Sequence, residues 1–291
     1  MLAFFKKKTS ISGWKDAYLD FCAAKNVENT RRAKAFAFRV LLATFPGGTN
    51  VAKITKQGAL AFLLQVARER GGGSANEVRK RLRAAWNWGV EFLDMPEVNP
   101  FRVPKFPQDE RPRYVPPLGD FKAVHALTSG ADYAMLLTVL HTAARRGEIF
   151  RMTWDDVDFQ RGIVRLGTRK RAGGGLQYDW VPMTSALKET LTAHKNDSRG
   201  CSGLVFPRPD GCPYKTRANL LKKLCAEGGI KRFSFHAVRH LAASLMAQKG
   251  MGITSIQAIL RHTTPLTTAR YLHRLGVPSQ DLDSVFSTGP P

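Results

Sequence analysis

The sequence predicts a mainly α-helical protein with one small β-hairpin, arranged as an N-terminal helical bundle followed by an α+β domain. Three observations predict it. Apolar residues recur at helical spacing through residues 9–95. Seven prolines crowd into the 23 residues from Met95 to Pro117, where apolar periodicity stops. In the second half, two short β-type runs, "GIVRLGT" and "QYDWVPM", flank the basic, glycine-rich "RKRAGGGL".

The first helix is carried by "WKDAYLDFCAAKN", with Trp14, Ala17, Tyr18, Phe21 and Cys22 at helical intervals. A second, "NTRRAKAFAFRVLLATF", is expected to start on Asn29 or Thr30 as its cap and stops before Pro46-Gly47-Gly48. "TKQGALAFLLQVARER" runs into three glycines at 71–73. "SANEVRKRLRAAWNWGVEFL" places Val78, Leu82, Ala85, Gly89 and Phe92 on one stripe. Arg79, Lys80, Arg81 and Arg83 fall off that stripe, which makes them candidates for contact with an anionic partner. Four amphipathic helices with short connections form a small bundle. The proline-rich stretch then reads as an extended linker, with a domain boundary near residue 108: domain one spans 1–108, domain two 109–291.

In the second domain "DFKAVHALTSG" and "DYAMLLTVLHTA" read as helices, and "RRGEIFRM" as a short one leading to Trp154. The hairpin follows. Helices are expected over 185–195, 215–227, 234–249, 253–262 and 265–273, the last with Thr264 as cap and Pro265 in the first turn.

The charge balance narrows the partner. There are 45 Lys+Arg against 23 Asp+Glu, a net charge of +22. Such an excess is the footprint of a polyanion binder; nucleic acid ranks first, an anionic membrane surface second. The four cysteines (Cys22, Cys201, Cys212, Cys225) form no CxxC pair, so they read as reduced structural thiols. At the N-terminus the lysines follow the short apolar run, opposite to a signal peptide, and no run approaches a spanning helix. The expectation is a soluble, cytoplasmic protein.

Several residues could do chemistry. "HAVRH" puts His236, Arg239 and His240 at i, i+3 and i+4, on one helix face. A metalloprotease helix needs Glu after its first His; here that position is Ala237, and a guanidinium stands between the two imidazoles. A phosphate site suits the set better, because Arg is a bidentate phosphate ligand; His240 is its weakest member and could simply pack. "RRGE" holds Arg145, Arg146 and Glu148, with Glu148 able to fix an arginine in place. Asp155, Asp156 and Asp158 could serve a metal nuclease, although capping and turn formation explain bunched aspartates more often. At the hairpin tip Lys170 lies between Arg169 and Arg171; a lysine can give up a proton near neutral pH where arginine cannot. Tyr271 is a weak nucleophile until cations around a phosphate lower its barrier.

Taken in order, Arg145, hairpin Lys170, His236-x-x-Arg239, "LRH" ending at His262, and Tyr271 nine residues later closely resemble the tyrosine recombinase (phage integrase) family. The resemblance is strong over the second half. It extends to the first half by architecture, and "EVNPF" after "WNWGVEFL" is similar to that family's domain junction. It implies an N-terminal DNA-binding (core-binding) domain and a tyrosine-recombinase catalytic domain. It further implies that Tyr271 attacks a DNA phosphodiester to form a 3′-phosphotyrosyl link. Arg145 and Arg239 would hold the non-bridging oxygens, Lys170 protonate the departing 5′ oxygen, His236 assist proton transfer and His262 hydrogen-bond the phosphate. Glu148 would orient the arginine helix from behind. No metal and no other cofactor is implied. Partners would be duplex DNA and three further copies, a homotetramer on two DNA sites, with apolar Leu282, Val285 and Phe286 docking on a neighbour and Arg79, Lys80, Arg81, Arg83, Arg169 and Arg171 contacting DNA.

Two positions depart from the family pattern. Arg261 stands where Gly is common, and Ala143-Ala144 where Gly-Leu is common. Arg261 is expected either to crowd the turn beside His262 or to add a phosphate contact. The rival readings are a non-catalytic DNA-binding protein of recombinase shape, a metal-dependent nuclease or transposase, and a topoisomerase.

Overall fold

The computed structural model describes residues 9–25, 28–108, 114–168, 175–197 and 203–262, with Thr264, Leu266, Thr268 and Ala269. The chain divides into two compact units, Met1–Glu110 and Arg111–Pro291.

The first unit holds α1 (Ile11–Lys25), α2 (Glu28–Leu42), α3 (Lys56–Arg70) and α4 (Gly72–Phe92). Local chemistry sets their ends: Thr55 Oγ1 accepts the Gly58 amide at 3.0 Å to cap α3. Thr30 is no cap, because α2 already includes Glu28, whose carboxylate binds Arg31 and Arg32 on the same helix at 2.8 and 2.9 Å. The core is built around Trp14, which meets Phe38 and Trp86 edge-on and donates its indole N–H to Ala85 O. Buried rings of this size carry several kcal/mol each when truncated, roughly 3–5 for Trp to Ala. Gly89 admits Met95 to this core; a Cβ there would lie 2.3 Å from the Met95 sulfur.

Two further expectations for this unit are revised. Phe92, on the predicted stripe, is 57% exposed at the end of α4 and lies against Phe21 and Trp88 instead of entering the core. The stretch expected as an extended linker is fastened to the first unit up to residue 107. Phe101 is fully buried, Trp86 Nε1 donates to Pro96 O, Asn99 Nδ2 to Arg83 O, and Asn76 exchanges two hydrogen bonds with the Phe106 backbone. Prolines remove backbone donors without removing carbonyls. Side chains of α4 therefore fasten the strap.

The second unit comprises α5 (Leu118–Ala126), α6 (Gly130–Thr142), α7 (Arg146–Ile149), β1 (Val157–Asp158), β2 (Ile163–Thr168), β3 (Gln177–Pro182), α8 (Ser185–Asp197), α9 (Ala218–Glu227), α10 (Phe235–Gln248) and α11 (Ile253–Leu260). The sheet is antiparallel in the order β1-β2-β3, with Ile163 opposite Pro182 and Thr168 opposite Gln177. β1 is an addition to the predicted hairpin, too short to leave a period-two signal. Val164, Leu166 and Val181 face the core, while Arg165 lies over the half-exposed rings of Tyr178 and Trp180. α9 starts three residues later than expected and α11 stops at Leu260. The helix expected over 265–273 is described only at Leu266, Thr268 and Ala269, all helical. A small apolar cluster of Ala143, Ala242, Ala243, Ile256 and Leu260 joins the end of α6 to α10 and α11.

Among the described residues no helix is long and apolar enough to cross a membrane. Cys22 and Cys225 are buried thiols and Cys212 an exposed one; Cys201 and the tail residues Leu282, Val285 and Phe286 lie outside the described residues.

Candidate active site

The site grows from the ends of two helices. α6 stops at Thr142 because Ala143 takes a left-handed conformation, φ 48°. The chain then turns, and Arg145 becomes the N-cap of α7. Glu148, in the first turn, accepts the Arg145 backbone N–H at 2.7 Å and its Nη1 at 2.8 Å. α11 stops at Leu260 in the same way: Arg261 has φ 53°, its N–H bonds Ala258 O and the His262 N–H bonds Gln257 O. That is a Schellman arrangement, usually built on glycine; a side chain there costs about 1–2 kcal/mol.

Arg239 connects the two turns. It lies on α10, which Ser234 caps, and is 1% exposed. Its Nη1 donates to Ala143 O and its Nη2 to Leu260 O at 2.6 Å. Nη2 also lies 3.3 Å from His262 Nε2. Guanidinium only donates, so Nε2 accepts, and Nδ1 carries the proton toward Thr268 Oγ1 at 3.0 Å. Burial, reinforced by Arg239, Arg145 and Arg261, pushes the His262 pKa down to about 4. The imidazole is thus neutral at pH 7.

Arg261 corrects both expectations placed on it. Its guanidinium donors are taken up inside, by Glu148 and Ile259 O, instead of being presented to a phosphate, and it leaves the His262 backbone bonds intact. It points inward, with Nη2 on Glu148 Oε2 at 2.7 Å and Nη1 on Ile259 O at 2.6 Å. Burial acts to raise the Glu148 pKa, but Arg261 and Arg145 outweigh it and hold the carboxyl below its usual value. No sequence signal gave this direction. A lone Arg beside His reads equally as a surface cation.

Arg145, Arg239, His262 and Glu148 are therefore brought together. His236 is exposed on the first turn of α10, its ring 4.4 Å from that of His240, which is 2% exposed and packs inside. Lys170, Arg169, Arg171 and Tyr271 lie outside the described residues. β2, which leads toward Lys170, is moored by Arg151 Nη2 on Gly167 O at 3.0 Å. A cavity of about 100 Å³ opens beside it, lined by Glu148, Arg151, Asp156, Arg165 and Tyr178 among others.

Asp156 and Asp158 hold structure, and Asp155 is exposed. Asp156 accepts the Thr153 N–H and hydroxyl at 2.9 and 3.0 Å and Arg165 Nε at 2.8 Å, while Asp158 accepts the Arg161 N–H. Among the described residues no three His, Cys, Asp or Glu side chains cluster as a metal site. In the first unit Lys80 and Arg83 are exposed, and Arg81 is half-buried against Glu77. Arg79 differs: it is 8% exposed and gives Nη1 to Val103 O at 2.7 Å, as an anchor of the strap.

Comparison with known proteins places residues 121–276 in a match to the phage integrase family model. The chain is 27% identical over 225 residues to the tyrosine recombinase XerA of Thermococcus onnurineus (strain NA1), covering 75% of this chain and 77% of that one. Among solved structures, the Tn1549 transposon integrase in complex with transposon right end DNA superposes with a TM-score of 0.73 at 16% identity, over 95% of this chain and 97% of the other. A lambda integrase tetramer bound to a Holliday junction gives 0.73 at 17% identity, over 94% and 80%.

Proposed function

The chain belongs to the phage integrase family, and from that premise we propose how its residues carry out the reaction. The protein is a tyrosine-type site-specific recombinase that breaks and rejoins DNA. The observation that carries the residue assignment is the network tying Arg145, Arg239 and His262 together across 117 residues of sequence, with Glu148 behind them.

In the proposed reaction the Tyr271 oxygen attacks a backbone phosphorus. A P–O bond forms to the phenol and the bond to the 5′ oxygen breaks. The phenolic proton passes to His236, and Lys170 supplies the proton that the leaving oxygen takes. Arg145 and Arg239 hold the non-bridging oxygens, where charge builds, already fixed by carbonyls and a carboxylate before DNA arrives. This is catalysis by positioning and preorganised charge. The 3′-phosphotyrosyl link keeps the energy of the broken bond, so a 5′ hydroxyl from another strand can reverse the step without a nucleotide.

The helical unit is assigned to DNA binding through Lys80, Arg81 and Arg83, and the hairpin through Arg169 and Arg171. The working assembly is a homotetramer on two duplex sites. The lambda integrase tetramer on a Holliday junction supports that assignment. The site of action is the cytoplasm.

The test is a duplex carrying a nick next to the cleavage position, so that the released fragment diffuses away. Wild type should leave a protein–DNA adduct on a denaturing gel, with or without EDTA, and Tyr271→Phe should leave none while still shifting the DNA. Cleavage abolished by chelation would return the metal-nuclease reading.

A further inference from the structure

We propose that Arg261 is a positioning residue of the reaction: buried between the two helix ends, it sets the spacing and the available charge of the two phosphate-binding guanidinium groups without touching DNA. The inference deepens the recombinase reading and rests on it.

Three observations carry it. First, Arg261 shares its partners with both arginines. Glu148, which binds Arg145 through Oε1, is held by Arg261 through Oε2 at 2.7 Å. The Ala143 carbonyl, which receives Arg239 Nη1, also lies 3.5 Å from Arg261 Nη2. Thr142 O, one residue earlier, lies 3.4 Å from its Nη1. The backbone of Arg261 closes the loop, its carbonyl 3.5 Å from Arg145 Nη2. One side chain and its own peptide thus touch the mounts of both groups.

Second, the position is unfavourable by every local measure. The residue sits in a left-handed conformation, and its guanidinium is buried with Nε lacking a hydrogen-bond partner among the described residues. Glycine would meet neither cost. What the side chain supplies in return is directed inward, at Glu148 and the α6 turn.

Third, the charge count requires it. Glu148 with Arg145 alone is a neutral pair, in which the carboxylate can close on that one guanidinium with both oxygens. With Arg261 the trio carries net +1, and Glu148 divides its two oxygens between two cations. Arg145 thereby gives a single side-chain donor to Glu148, and an anion meets a site of net positive charge.

The test reads adduct formation in single turnover at saturating nicked DNA, beside DNA affinity and the thermal midpoint. Arg261→Met is expected to slow adduct formation by about tenfold to a hundredfold while changing DNA affinity by less than about threefold, as for other supports of a reactive group. Adding Glu148→Gln to Arg261→Met should recover part of that rate, since the unshared carboxylate no longer captures Arg145. A merely structural role would restore the thermal midpoint in the double variant and leave the adduct rate of the folded protein unchanged from the single variant. If Arg261→Met alone does not fold, Arg261→Gly and the double variant, which buries no charge on either side, carry the same comparison. A rate within about threefold of wild type in any folded single variant, or a double variant slower than the single, overturns the proposal. Absence of adduct with wild type itself would instead sink the recombinase reading.

Discussion

His262 Nε2 lies 3.3 Å from Arg239 Nη2, an imidazole held neutral against a guanidinium. Its pKa of about 4 is set by burial first, then by Arg239, Arg145 and Arg261. A phosphate between these groups adds the negative charge that is missing, and so raises that pKa. DNA binding between about pH 4 and 6.5 should therefore take up a proton. Calorimetry in buffers of different ionisation enthalpy measures it directly. His262→Gln should bind with less uptake, and equal uptake in both proteins would assign the proton elsewhere.

The same depression has a consequence for stability in the free protein. The neutral folded form is favoured fully above the unfolded histidine value near 6.5, and the contribution is lost as pH falls toward about 4. Wild type should therefore lose more of its melting temperature between pH 7 and pH 5 than His262→Gln does, by on the order of a few degrees. Parallel pH profiles for the two proteins would count against it.

Arg239→Lys keeps the charge and loses the fork. One ammonium cannot bridge Ala143 O and Leu260 O while also facing a phosphate. Adduct formation should fall by about a hundredfold or more, the usual range for a lost donor to developing charge. A Lys variant within tenfold of wild type would mean that charge alone suffices.

How much of this was legible in the sequence differs by residue. The helices were, because Trp14, Val78 and Leu82 obey a 3.6-residue period that burial enforces. Arg145, Arg239 and His262 were legible only as a set, since each alone reads as surface or packing. Arg261 and Arg79 were not, for one reason: a buried guanidinium is decided by carbonyls and carboxylates that lie far away in sequence, Glu148 and Val103 here. The strap from Pro96 to Pro107 is hidden similarly, because composition reports its lost backbone donors and not the α4 side chains that bind it.

Arg79 and its neighbours separate on that basis. Lys80→Ala and Arg83→Ala, both exposed, should weaken DNA binding and each reduce the log–log salt slope by about 0.9 for every phosphate left without its cation. Arg79→Ala should leave the slope unchanged and destabilise the helical unit by about 1–3 kcal/mol, because Val103 O loses its buried donor. Salt titrations and thermal melts on the three variants give the comparison. A reduced slope for Arg79→Ala would make it a DNA-binding residue after all.

Lys170 is assigned to protonate the leaving 5′ oxygen, and that role has a chemical signature independent of folding. An alkoxide is a poor leaving group and needs the proton; a thiolate does not, because its conjugate acid is far stronger. With ordinary DNA, Lys170→Ala should slow adduct formation by about 10²–10⁴-fold, the span of general acid catalysis. With a substrate whose bridging 5′ oxygen is replaced by sulfur, the same variant should approach the wild-type rate. Arg169→Ala and Arg171→Ala should show no such rescue, since their expected contribution is to binding. Equal impairment of Lys170→Ala on both substrates would move the proton donor to another residue and leave Lys170 as a phosphate ligand.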